Sequence, residues 1–138
     1  MANFTRGSTA GATSPAIAKT PYTITRQINV ATDAAGSLAA GVHQIFNIPA
    51  NVQVLHASVR ILTAETVGTT GTIALGDTGS AARYVAAATV AATGYMTQTG
   101  AKGVPSTSAT TVDVTVATAT LTNVVFLVSI VCADLTRG

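Results

Sequence analysis

Apolar and polar residues alternate along most of this chain with a period of two, and one stretch is apolar at nearly every position. From Asn123 to Cys132, residues Val124, Phe126, Val128, Ile130 and Cys132 fall on one face of a strand. Val125, Leu127 and Val131 fall on the other, interrupted only by the small Ser129. β-Branched side chains dominate the run, and their stiffness suits a pleated backbone. The run is too short for a membrane helix, which needs ~20 apolar residues. A strand apolar on both faces is expected at the centre of a sheet covered on both sides.

The remaining segments read as its neighbours. Tyr22 to Val30 alternates cleanly, with Tyr22, Ile24, Ile28 and Val30 on one face and Thr23, Thr25, Gln27 and Asn29 on the other. Such a strand is half-buried, with one wet face. Arg26 sits on the apolar face, which places it either at the rim of the sheet or against a carboxylate such as Asp113 or Glu65. Asp33 to Gly41 is a turn-rich link. Val42 to Ile48 is a second strand, with Val42, Phe46 and Ile48 inward and His43 and Asn47 outward. Pro49-Ala50-Asn51 closes it, because proline cannot extend a ladder. Val52 to Leu62 is a third strand, with Leu55, Val59 and Ile61 on one face and Val54, His56, Ser58 and Arg60 on the other. Gly71 to Leu75 is short and ends in Gly76-Asp77-Thr78-Gly79, a turn in which glycine supplies positive φ. The segment from Arg83 to Val90 fits either a strand edge or one helical turn. Tyr95 to Gln98 is a further short strand. Thr111 to Val116 sets Val112, Val114 and Val116 against Thr111, Asp113 and Thr115, and a hairpin with the central run is expected.

This pattern predicts an all-β fold, a β-sandwich or jelly roll of about seven to eight antiparallel strands. It would occupy residues 21–138 as one domain, preceded by an extended N-terminal arm over residues 1–20. Gly7, Gly11 and Pro15 break any helix in that arm. No repeat suggests a solenoid or propeller.

Composition narrows the function classes. Only 9% of the 138 residues are charged, so the surface must be covered by Thr, Ser, Ala and Gly. A free monomer usually carries more charge for solubility, which points to life in an assembly. The net charge of +2 comes without a basic cluster, and that argues against a nucleic-acid partner. No apolar core of a signal peptide precedes Pro21, so synthesis in a cytosol is expected, with no membrane partner. The single Cys132 excludes an internal disulfide framework and reads as a small buried hydrophobe.

Candidate chemistry is thin. His43 and His56 could face outward on neighbouring strands, but two imidazoles without a third ligand make a weak metal site. There is no Gly-x-Ser-x-Gly elbow. The turn at Asp77 lacks the carboxylates of a calcium loop and the Lys-Ser/Thr of a phosphate loop. Tyr22, Tyr84 and Tyr95 could form a sugar-stacking platform, although core-rim or interface positions suit them better. No catalytic residue, cofactor or metal ligand is assigned, and the chain is read as non-enzymatic.

A family resemblance rests on ordered segments. These are Ile48-Pro49-Ala50 closing a strand, Leu62-Thr63-Ala64-Glu65, Ile73-Ala74-Leu75-Gly76-Asp77, Tyr84-Val85-Ala86-Ala87-Ala88, and the closing pair Thr111 to Val116 and Val124 to Val131. Across Tyr22 to Leu135 the chain resembles small structural proteins of tailed bacteriophages, the capsid decoration (cement) and head-fibre-like proteins. The resemblance implies a β-sandwich or jelly-roll module on the virion surface that binds the major capsid protein as a dimer or trimer. Phe4, Arg6, Lys19 and Tyr22 are then expected at a capsid or subunit interface. The alternative is a receptor- or glycan-binding module of a fibre or tail, or another minor virion component.

Overall fold

The computed structural model describes residues 21–96, 98 and 105–135. Among these, eight strands follow in order: β1 (Tyr22–Asn29), β2 (Gly41–Ile48), β3 (Val52–Thr63), β4 (Thr72–Asp77), β5 (Ser80–Thr89), β6 (Gly94–Met96), β7 (Thr110–Ala117) and β8 (Val125–Asp134). A single helical turn, α1 (Val30–Asp33), links β1 to β2. The strands make two four-stranded antiparallel sheets, the first ordered β1-β8-β3-β6 and the second β2-β7-β4-β5.

The pairings are nested. β4 pairs with β5, β3 with β6, β2 with β7 and β1 with β8. The chain is therefore one long hairpin, doubled at the turn after Asp77 and rolled so that successive pairs fall in opposite sheets. Val112, Val114 and Val116 of β7 face the core with Ile73 and Leu75 of β4, and across the sandwich lie Val59 and Ile61 of β3 and Phe126, Val128 and Ile130 of β8. All of these are 2% exposed or less. Each such side chain contributes about 1.5–3 kcal/mol of hydrophobic stabilisation.

The expected hairpin between Thr111–Val116 and the central run does not form. β7 lies in the second sheet and β8 in the first. The 118–124 loop carries the chain across, and it begins at Thr118 with a φ of 77°. The ambiguous segment is a strand, β5, and Val30 belongs to α1, where it remains fully buried. Asn29 caps that turn, its Oδ1 accepting from the Ala31 amide at 3.1 Å while its own amide donates to Asp33 Oδ2 at 2.8 Å.

Two β-bulges overturn face assignments made from alternation. The β3–β8 register shifts between Val54 and His56. The extra residue, Leu55, resets the alternation, so Val54 is buried with Ala57, Val59 and Ile61 while Leu55 is only partly covered. The β2–β7 register shifts between Gln44 and Phe46. As a result His43 pairs with inward-facing Val114, whereas Val42 pairs with Thr115 and is 62% exposed. The bulge at Ile45 also resolves Arg26. Its guanidinium donates to the Ile45 carbonyl at 3.0 Å, joining edge strand β1 of one sheet to edge strand β2 of the other. Arg26 is a rim residue and meets neither Asp113 nor Glu65.

Candidate interaction face and acidic cleft

Three features outside the core carry polar chemistry. The first is the outer face of the first sheet. In register across β1, β8 and β3 it presents the rows Thr23–Val131–His56, Thr25–Ser129–Ser58 and Gln27–Leu127–Arg60, the last extended by Tyr95 on β6. Thr25 Oγ1 and Ser129 Oγ share a hydrogen bond of 3.2 Å. Arg60 is the one full charge in these rows, and its guanidinium lies over the Tyr95 ring at 5.2 Å from the centroid. β8 is central in its sheet, as its composition predicts, but it is covered on one side only. Val124, Phe126, Val128, Ile130 and Cys132 are fully buried, whereas Val125, Leu127, Ser129 and Val131 are half-covered. A strip of half-covered aliphatic side chains thus runs down a face whose other positions are mostly Thr, Ser and Gln, with His56, Arg60 and Tyr95 along β3 and β6.

The second feature is a cleft of about 340 Å³ on the outer face of the second sheet. It is lined by Val42, Gln44, Asp113, Thr115 and the 77–81 turn. The turn is built by Asp77, whose Oδ1 accepts from the amides of Gly79 at 2.9 Å and Ser80 at 3.0 Å, while Oδ2 is ion-paired with Arg83. Neither glycine of this turn has positive φ, contrary to the expectation. Gly76 is required for a different reason: a Cβ there would collide with the Ser80 carbonyl oxygen and the backbone of Ala81. The turn folds that tightly over the sheet, and it roofs Asp113, which pairs with Gly76 on one side and Gln44 on the other. Alternation predicts a wet Asp113. It is instead 2% exposed, and its Oδ1 has no hydrogen-bond partner among the described residues.

The third feature is Glu65, 1% exposed between the loops 64–71 and 118–124. Its Oε1 accepts from the amides of Val67 and Gly68 and from the Thr122 hydroxyl; its Oε2 accepts from the amides of Thr122, Asn123 and Val124. Burial pushes its pKa up, but the Thr122 hydroxyl and the surrounding amides outweigh this and hold it at about 2. The sequence offers Glu65 as a partner for Arg26 and as the end of the Leu62-Thr63-Ala64-Glu65 segment, with no sign of its burial. The signal that could have found it is Thr122-Asn123, a donor-rich loop just before the apolar run.

The other candidates are dispersed. His43 and His56 lie in different sheets, and His43 Nε2 donates to the Ala39 carbonyl at 2.8 Å. Among the described residues no group of three His, Cys, Asp or Glu is placed to hold a metal. The tyrosines do not converge: Tyr84 is 3% exposed, Tyr22 opens edge strand β1, and Tyr95 lies on the opposite edge strand, β6. Burial, with the Asp77 carboxylate adding to it, pushes the Tyr84 phenol up to about 12. Cys132 is a free, fully buried thiol raised by burial. Of the residues expected at an interface, Tyr22 is 39% exposed, and Phe4, Arg6 and Lys19 lie outside the described residues.

No family model matches the chain, and no curated protein matches it by sequence. Solved structures do. The fold is similar to a chain of the acidic stable capsid of Helicobacter pylori bacteriophage KHP30, with a TM-score of 0.61 at 16% identity over 84% of this chain and 89% of that one. It is equally similar to a chain of the capsid asymmetric unit of cyanophage Pam1, with a TM-score of 0.61 at 21% identity over 84% and 86%. A chain of the capsid of Ralstonia phage GP4 aligns with a TM-score of 0.59 at 17% identity over the same shares. At these identities the likeness is one of fold.

Proposed function

We propose that this chain is a non-enzymatic virion structural protein, a decoration (cement) protein that binds the outside of an assembled phage head and stabilises it. The observation that carries this reading is the half-covered aliphatic strip on the outer face of β8. Leu127 lies between Gln27 and Arg60, and Val131 between Thr23 and His56. Arg60 is the one full charge in these rows and already lies over the Tyr95 ring, so the face loses little hydration when another protein covers it. The nested strand order suits a jelly-roll module, and the solved chains of like fold come from phage capsids. Stabilisation would come from contact area. A specific footprint of about 800 Å² per partner, repeated over many copies on a shell, sums through avidity against internal pressure. Phe4, Arg6, Lys19 and Tyr22 would extend that footprint to the major capsid protein or to sister subunits in a dimer or trimer.

The test is copy number in purified particles, with binding of a Leu127→Glu/Val131→Glu double variant to undecorated shells. Hundreds of copies per particle and loss of binding by the variant support the reading. A handful of copies, or undiminished binding by a folded variant, overturns it. A second reading, a receptor- or glycan-binding module of a fibre or tail, draws on Tyr95, 71% exposed and stacked with Arg60. Competable binding on a glycan array, lost in Tyr95→Ala, would favour it.

A further inference from the structure

We propose that the cleft on the outer face of the second sheet is a binding site for a cationic side chain, a guanidinium or a primary ammonium. Asp113 lines this cleft at 2% exposure with Oδ1 unpartnered among the described residues, and Thr115 Oγ1 beside it is buried and equally unpartnered. A buried carboxylate oxygen without a donor costs folding free energy that a bound donor restores. The other charged groups at the cleft are already engaged, Asp77 with two amides and with Arg83. That leaves the Asp113 carboxylate as the one unpaired charge lining the cleft among the described residues, with the Thr115, Thr78 and Ser80 hydroxyls and the Gln44 side-chain oxygen as neutral acceptors around the open space. A guanidinium carries five donors and an ammonium three, with no acceptor to conflict with them. Calcium asks for six to eight oxygens, many of them charged, and suits the cleft poorly. Val42, exposed at the cleft, offers apolar surface for the aliphatic stem of Lys or Arg.

The donor has two sources. Of the seven basic residues of this chain, Arg26, Arg60 and Arg83 are engaged with Ile45, Tyr95 and Asp77. Arg6, Lys19, Lys102 and Arg137 lie outside the described residues, and they or a basic residue of another protein could supply the cation.

The experiment is a nuclear magnetic resonance titration of the full-length protein with Nα-acetyl-arginine methylamide and Nα-acetyl-lysine methylamide, with the norleucine analogue as neutral control. Saturable shifts are expected at the amides of Gln44, Gly79, Asp113 and Thr115, absent with norleucine and weakened by salt. Affinity should fall at least tenfold in Asp113→Asn, which keeps the side-chain shape, and severalfold in Thr115→Val, which keeps the carboxylate. A variant neutralised at Arg6, Lys19, Lys102 and Arg137 separates the sources. If it binds the probes more tightly than the natural chain, the occupant is internal; equal binding assigns the cleft to another protein. The proposal is overturned if neither the natural chain nor that variant shows saturable shifts at these amides, or if Asp113→Asn binds equally well. No capsid is present, so failure here leaves the decoration reading standing.

Discussion

Thr122 holds Glu65 by two donors at once, its hydroxyl 2.7 Å from Oε1 and its amide 2.8 Å from Oε2. The two residues are 57 positions apart, and the contact fastens the loop leaving β3 to the loop entering β8. Gly68 completes the junction: its amide donates to Glu65, and a Cβ there would collide with the Thr120 carbonyl oxygen. Removing the carboxylate strands up to six donors. Glu65→Ala should therefore cost about 3–5 kcal/mol, read as a lowered urea midpoint.

The same residue sets the acid limb of stability. Its pKa of about 2 in the fold lies below the ordinary 4.5, so the ionised form is favoured by folding. The stabilisation, about 3 kcal/mol, is complete above about pH 4.5 and is lost as pH falls toward 2. Glu65→Gln should start less stable and show a flatter decline across that window in urea melts taken at successive pH values.

Tyr84 sets an alkaline limb of opposite sign. Folding favours its neutral phenol, since burial and then the Asp77 carboxylate lift the pKa from 10.0 to about 12. This contribution is complete below about pH 10 and disappears as pH rises through 12, with a size of about 2–3 kcal/mol. Tyr84→Phe should flatten the loss of stability between those values, and ultraviolet titration of the phenolate would register the change directly.

Gly76→Ala tests the roof of the acidic cleft. The added methyl group meets backbone rather than a movable side chain, so the turn over Asp113 must lift. A cost of about 1–3 kcal/mol is expected in thermal melts. Amide shifts should be confined to residues 76–81, Gln44 and Asp113.

The two faces of β8 should respond differently to truncation. Phe126→Ala opens a cavity in the core and should cost about 3–5 kcal/mol. Leu127→Ala, one residue along and half-covered, should cost less than about 1.5 kcal/mol in the isolated protein. On particles the ranking should reverse for binding: Leu127→Ala should weaken decoration while the folded fraction stays unchanged.

Where local alternation is unbroken, as in β1 and β7, the sequence reports strand and face together. It fails at Leu55 and Ile45, because a bulge inserts one residue and inverts every assignment on one side of it, and neither site bears a Gly or Pro to announce it. The partner of β8 was illegible for another reason. Sequence neighbours make the nearest candidates for pairing, whereas here a buried carboxylate 57 residues upstream of Thr122 steers the chain into the opposite sheet. Of the cleft, the turn was visible in Gly76-Asp77-Thr78-Gly79. The burial of Asp113 was not, because it depends on how closely that turn lies over β7.

The nested pairing has a kinetic consequence. β8 fills the gap between β1 and β3, so the first sheet cannot close until the last of the eight strands has been synthesised. Contacts of such long sequence separation make for folding in milliseconds to seconds rather than microseconds. On the ribosome β1 waits about a hundred residues for its neighbour, with Ile24 and Ile28 uncovered in the meantime. Chaperone dependence and temperature-sensitive yield during synthesis are the phenotypes such a topology should display.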